Sequence, residues 1–172
     1  MLRVAAFACL LVFLFGCGDS DPDDPSETSY GPLEDVKAYR QNIEPIIVEV
    51  SAIEALVQER AVGSANVATA ENLYPIYLEQ RPKLLQIMEH IDRIKPPSAL
   101  ADLHQDIRRL VTLRLEAYGA VIDGWEAQDE TRYEVAEGKL RQANALIVSL
   151  NEKLMDVDRV VGEADGGNPV AA

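Results

Sequence analysis

The sequence predicts an all-α protein: an antiparallel up-down-up-down four-helix bundle, preceded by a signal peptide and an acidic disordered linker. Three observations carry this. Apolar residues recur at alternating steps of three and four through Tyr133, Ala136, Leu140, Ala143, Ile147, Leu150, Leu154, Val157 and Val161, and again through Val36, Tyr39, Ile43, Ile46, Val50, Ile53 and Val57. Such steps line up on one stripe of a helix, as in a bundle seam. Short breaks rich in glycine or proline divide the helical region into four segments. No strand-like alternation of period two competes with this pattern.

The chain is read as residues 1–16, a signal peptide; 17–32, a linker; 33–162, the bundle; and 163–172, a disordered tail. Met1-Leu2-Arg3 is a short basic start, and Val4 to Phe15 is unbroken apolar sequence. That run is too short for a permanent membrane-spanning helix and suits a secretory signal. Leu14-Phe15-Gly16-Cys17 resembles the lipobox of bacterial lipoproteins, with the small Gly16 before the cysteine; Phe15 departs from the small or branched residue usual at its position. The resemblance covers only the N-terminal tenth of the chain. It implies cleavage before Cys17, acylation of Cys17 with fatty acids such as palmitate, and a lipid-anchored place in a cell envelope. Gly18 stands where an Asp would favour inner-membrane retention. For a Gram-negative host the resemblance therefore implies the periplasmic face of the outer membrane.

Gly18 to Pro32 holds five acids (Asp19, Asp21, Asp23, Asp24 and Glu27), no base and almost no apolar residue. Such a segment buries too little surface to offset its ordering entropy. Charge repulsion and proline extend it, to a reach of at most ~50 Å. It is read as a generic spacer between lipid and domain.

Gly31-Pro32 opens the first helix, with Glu34 and Asp35 in its first turn, where carboxylates favour the positive end of the helix dipole. Gly63-Ser64 separates it from a second helix, from about Asn66 to Ile94, containing Leu73, Tyr77, Leu84, Met88 and Ile91. Lys95-Pro96-Pro97-Ser98 then breaks the chain, and Ser98 is a candidate N-cap. The third helix runs from about Ser98 to Asp123 and contains Leu100, Ile107, Val111, Tyr118 and Val121; Gly124 and Asp129 bracket the last turn before the fourth. Short connections make successive helices antiparallel. A helical hairpin that completes its bundle by dimerising is the competing architecture. Pro45, Pro75 and Pro82 fall inside these segments and are read as points where a helix starts or restarts, especially at Gln80-Arg81-Pro82, rather than as kinks that open a pocket.

Composition narrows the function. The net charge of −13 argues against a nucleic-acid partner, which needs a basic face to displace counterions. Two cysteines, Cys9 and Cys17, exclude a disulfide framework and a four-cysteine zinc site. No phosphate loop, nucleophile elbow, paired-histidine zinc motif or haem-attachment motif occurs. The bundle di-iron motif needs Glu three residues before His, but Ile87 precedes His90 and Ala101 precedes His104 at that spacing. The pairs Asp102/Asp106 and Glu152/Asp156 read as solvated helix surface.

One constellation carries ligand chemistry. An up-down bundle gathers Met88, His90, His104 and Met155 at one end, with His104 on or beside the helix 3 seam. Met and His facing each other in an exported bundle resemble cytochrome b562 in architecture, which implies haem; the same soft ligands suit Cu(I). In that family the methionine lies on helix 1 and the histidine on helix 4, whereas helix 1 here has neither. The competing reading makes His104 a core-edge residue hydrogen-bonded to a neighbouring carboxylate, and Met88 and Met155 core fillers. Arg114, also on the seam, is expected to pair with an acid from another helix. Tyr39, Tyr77, Tyr118 and Tyr133 are expected in the core, and Trp125 as a cap on it. The expected function is a lipid-anchored, non-catalytic interaction or binding module with a protein partner in the envelope and no cofactor. The alternative is a periplasmic haem or copper binder. Nothing in the sequence supports an enzyme.

Overall fold

The computed structural model describes residues 27–62 and 68–164. The lipobox with Cys17, the break at Gly63-Ser64 and the tail from 165 lie outside the described residues. Within them the protein is helical: α1 (Leu33–Val62), α2 (Ala70–Arg93), a 3-10 turn (Ser98–Leu100), α3 (Ala101–Ala127) and α4 (Thr131–Ala164). Two strands of two residues, β1 (Glu27–Thr28) and β2 (Gly31–Pro32), form a hairpin directly before α1.

The helices run alternately in opposite directions. As α4 advances from Lys139 to Lys153, its salt-bridge partner on α3 recedes from Glu116 to Asp106. Tyr74 at the start of α2 meets Glu126 near the end of α3, while Asp92 near the end of α2 meets Arg108 near the start of α3. Arg40, early in α1, pairs with Asp158, late in α4, at 2.5 Å. α3 is the central element, packed extensively against both α2 and α4; α1 packs against α2 and touches α4 more lightly. The core is the stripe the periodicity marks, including Val36, Ile43, Leu84, Ile91, Val111, Val121, Ala136 and Ala143, all at most 2% exposed. Close packing of such stripes supplies most of the stability of helices like these.

Several expectations are corrected. Residues 27–32 are not free chain: Thr28 Oγ1 donates to the Gly31 carbonyl at 2.7 Å, Gly31 adopts φ 106°, and the Tyr30 hydroxyl donates to Asp156 on α4. The hairpin is thereby fastened to the far end of the chain's last helix. The prolines do not restart helices. Pro45 lies inside α1, and Pro75 and Pro82 lie inside α2. Each is exposed, as are the residues four positions earlier (Gln41, Glu71 and Leu78) whose carbonyls lose a donor, so water can satisfy those oxygens.

α2 begins at Ala70, later than Asn66, because extended Thr69 caps it by accepting from the Asn72 amide at 3.3 Å. Ser98 caps nothing; it begins the 3-10 turn. α3 does not stop at Gly124 but continues to Ala127, and Gln128, with φ 53°, ends it in the left-handed conformation. Gly124 has a packing role instead: a Cβ there would lie 2.9 Å from both Arg132 Cβ and Tyr133 Cε1, so its absence lets α4 approach α3. Asp129 then starts α4 by accepting from the Thr131 amide at 3.0 Å and the Thr131 hydroxyl at 2.6 Å.

Candidate functional site

The four residues of the Met/His constellation differ in burial. His104 is buried, Met88 packs partly buried against the core, and His90 is exposed. Met155 is 63% exposed, so it is not a core filler. It stands one residue past Leu154 on the α4 stripe, and one step of about 100° carries a side chain off the seam. His104 Nδ1 lies 3.4 Å from the Tyr39 hydroxyl, with the rings edge-on at 62°. Burial, chiefly, lowers the imidazole's pKa, with nearby Asp92 opposing and Arg108 adding to the effect; burial also raises the Tyr39 phenol's. The contact joins the phenol oxygen and Nδ1 across the edge of the core. His104 is a core-edge histidine whose polar partner is the Tyr39 hydroxyl, not the carboxylate expected. Among the described residues no group of three or more His, Cys, Asp or Glu side chains is placed to hold a metal. Asp106 instead accepts from Lys153 at 2.5 Å, and Asp156 is taken by Tyr30 and Arg159.

Midway along the bundle, side chains from all four helices build a polar centre. Arg114 of α3, 5% exposed, crosses the core. Its Nη2 lies 2.8 Å from Glu54 Oε2 on α1 and donates to Asn144 Oδ1 on α4 at 2.8 Å. The Tyr118 hydroxyl donates to Glu54 Oε1 at 3.3 Å. Tyr77 of α2 stacks on Tyr118 with ring centroids 3.9 Å apart and planes 7° from parallel. Arg114 Nε is buried with no hydrogen-bond acceptor. Burial raises the Glu54 pKa, while Arg114 and the Tyr118 hydrogen bond pull it down. Burial is also the main cause that holds both phenols protonated, far above the ordinary tyrosine range. The centre is a charge pair tied in at Arg114 Nη2, with one buried donor, Nε, left over. Its chemistry fixes which helix faces meet, since a slipped helix would strand a buried guanidinium.

The sequence pointed to Arg114 and to an acid on another helix; the structure identifies Glu54. Asn144 and the fully buried Gln80 were not singled out. Glu54 could have been found, since it lies four residues after Val50 and beside Ile53 on the α1 stripe, where an acid is out of pattern. Gln80 is held by Glu79 and Lys83, each at 2.9 Å.

A cleft of about 600 Å³ opens at the end of the bundle that carries the hairpin. One wall is α1, through Asp35, Ala38, Tyr39 and Asn42, which recur at helical spacing along a single flank. The other wall is the end of α2 and the connection to α3: Arg93, Ile94, Lys95, Pro96 and Pro97. The prolines cannot continue α2, and Ile94 already has extended dihedrals (φ −79°, ψ 129°), so the connection stands away from α1 instead of packing as helix. Tyr39, Ile94 and the prolines give an apolar lining, with charges above it. Arg93 shares a 3.5 Å ion pair with exposed Glu89. Asp35 and Lys95 are exposed, and among the described residues neither has a side-chain hydrogen bond or ion pair.

The other end carries Trp125. Expected as a core cap, it is 39% exposed and stacks on Tyr74 at 5.8 Å, since α3 continues past Gly124 and carries it to the rim. Among the described residues no helix is long and apolar enough to cross a membrane. No family model, curated protein or solved structure matches the chain.

Proposed function

We propose that this chain is a lipid-anchored, non-catalytic binding module of a bacterial cell envelope, held through Cys17 and presenting a four-helix bundle to its partner. The observation that carries the binding half is the cleft between α1 and the 94–97 connection, where Asp35 and Lys95 are exposed with no ion pair among the described residues. The anchoring half rests on Leu14-Phe15-Gly16-Cys17 and the apolar run before it. The hairpin supports both: the chain from the anchor enters at residue 27, at the same end of the bundle as the cleft, and Tyr30 ties that entry point to α4. On this reading the cleft end of the bundle lies nearer the membrane and the Trp125 end farther from it. The reading as a non-enzyme rests on the chemistry of the polar groups: Arg114 and Glu54 are paired with each other, and Tyr39, the cleft hydroxyl that lies against His104, is a buried phenol whose pKa burial raises.

The test of anchoring is mass spectrometry of the chain recovered from a bacterial membrane fraction, together with labelling by an alkynyl fatty acid. An N-terminal peptide beginning at acylated Cys17 supports the proposal, with label and membrane association lost in Cys17→Ser. An intact N-terminus, or label that survives Cys17→Ser, refutes it. The binding half is tested by crosslinking in the intact envelope from a photoreactive residue at position 42, in the cleft, against one at position 78, on exposed α2. A specific product from 42 and not from 78 is the expected result; equal or absent products count against a cleft partner.

A further inference from the structure

The cleft has a charge arrangement that selects a ligand class. Its two cationic side chains, Arg93 and Lys95, belong to one wall, and its carboxylate, Asp35, belongs to the other. Ala38, Tyr39, Ile94, Pro96 and Pro97 complete the lining, and on the α1 wall Asn42 donates its amide nitrogen to the Ala38 carbonyl at 2.7 Å, which leaves its side-chain oxygen as an acceptor. A free anion would meet the cations and also the field of Asp35; a free cation would meet the reverse. A molecule carrying both charges, separated by a short chain, satisfies both walls at once and covers the apolar lining.

Neither Asp35 nor Lys95 is spent on the fold, and Arg93 is held only by an exposed, salt-screened pair. The Tyr39 ring beneath is fixed by His104, so the lining does not have to reorganise when a ligand enters. The volume of about 600 Å³ lies within the size range of small-molecule pockets.

We propose that this cleft binds a small zwitterion, with an anionic carboxylate or phosphate against Arg93 and Lys95 and an ammonium against Asp35. This rests on the reading of the cleft as a binding site and adds the class of ligand. Two sources share the chemistry: a free zwitterion in solution, and the phosphoethanolamine headgroup of a lipid, which the position of the cleft near the anchored end would bring within reach.

The test is a two-dimensional NMR titration of the isotope-labelled full-length chain with O-phosphoethanolamine, and separately with dialanine, inorganic phosphate and ethanolamine. Shifts confined to residues 35–42 and 93–97 are expected from at least one of the two zwitterions. Phosphate and ethanolamine should each bind at least tenfold more weakly than that zwitterion. Asp35→Asn and Lys95→Gln change exposed residues and should each weaken zwitterion binding about tenfold with the rest of the spectrum unchanged, a loss of about 1.4 kcal/mol. Flotation of Cys17→Ser with vesicles of phosphatidylethanolamine and phosphatidylcholine, against phosphatidylcholine alone, separates the sources: ethanolamine-dependent flotation lost in Asp35→Asn identifies the lipid, and NMR binding without flotation identifies a free ligand. Phosphate binding as tightly as the zwitterions, or zwitterion binding indifferent to both substitutions, overturns the proposal. So does silence from every probe in both assays, even if Cys17 is acylated and position 42 crosslinks to a protein.

Discussion

Breaking the polar centre one side at a time should cost far more than removing it whole. Arg114 and Glu54 lie 2.8 Å apart, with 6% of the arginine side chain and 27% of the glutamate's at the surface. Charges about 4 Å apart attract by about 4 kcal/mol at an effective dielectric near 20. Glu54→Leu leaves the guanidinium buried with no counter-charge and only Asn144 as a partner, so the expected loss is about 3–5 kcal/mol. Arg114→Met is milder, about 2–3 kcal/mol, because Glu54 already reaches water and can turn towards it. The double variant Glu54→Leu/Arg114→Met removes both desolvation penalties and relieves the orphaned Nε, and should lie within about 1 kcal/mol of the parent or above it. The assay is urea unfolding followed by helical circular dichroism. With a slope near 2 kcal/mol per M, a 4 kcal/mol loss moves the midpoint down by about 2 M. If the double variant instead loses the sum of the two single losses, the two residues act independently and the account of the centre is wrong.

Other expectations follow from the same contacts. The lowered pKa of His104 means that the unfolded chain takes up its proton first as pH falls, so stability drops on acidification below about 6.5; His104→Gln should remove that part of the slope in urea midpoints measured between pH 7.5 and 5.5, and an unchanged slope would count against it. Glu54 has the opposite sign: its raised pKa makes the native state take up the proton first, so its contribution falls as pH rises from about 4.5 through the folded value. Glu54→Gln should therefore remove a slope of that sign, seen by the same melts between pH 4 and 7. Gly124→Ala gains about 1 kcal/mol of helix propensity but forces a Cβ to 2.9 Å from Arg132 and Tyr133, so a net loss of about 1–2 kcal/mol is expected in the same assay. Tyr30→Phe removes the hydrogen bond to Asp156; because that bond is the largest cause pushing the Tyr30 phenol up to about 12, the parent should show a tyrosine titrating near that value by ultraviolet absorbance, lost in the variant. Amide exchange of residues 28–31 should quicken in Tyr30→Phe with the core unchanged.

The sequence by itself determined the helical class and the faces. Most residues at steps of three and four are buried, with Tyr133, Ile147 and Leu154 partly so, and the proline pair at 96–97 marked the turn between α2 and α3, because side-chain periodicity and missing backbone donors are local facts. It also pointed to Arg114 as a buried charge with an acid across the bundle. What it could not supply depended on neighbours distant in the chain. Glu54 and Asn144 meet Arg114 only because α1 and α4 bring their faces to the same height on α3. Pro45, Pro75 and Pro82 stay inside helices because their freed carbonyls face solvent, which depends on the face each helix buries. Gly124 looked like a terminator, yet close approach of Arg132 and Tyr133 is its reason. The exposure of Met155 has a related cause: sequence counts residues to an end of the bundle, but one step of about 100° separates a stripe residue from a surface side chain. The cleft was invisible as well. Asp35 and Lys95 are sixty residues apart and unremarkable alone, and only the antiparallel return of α2 sets them on facing walls.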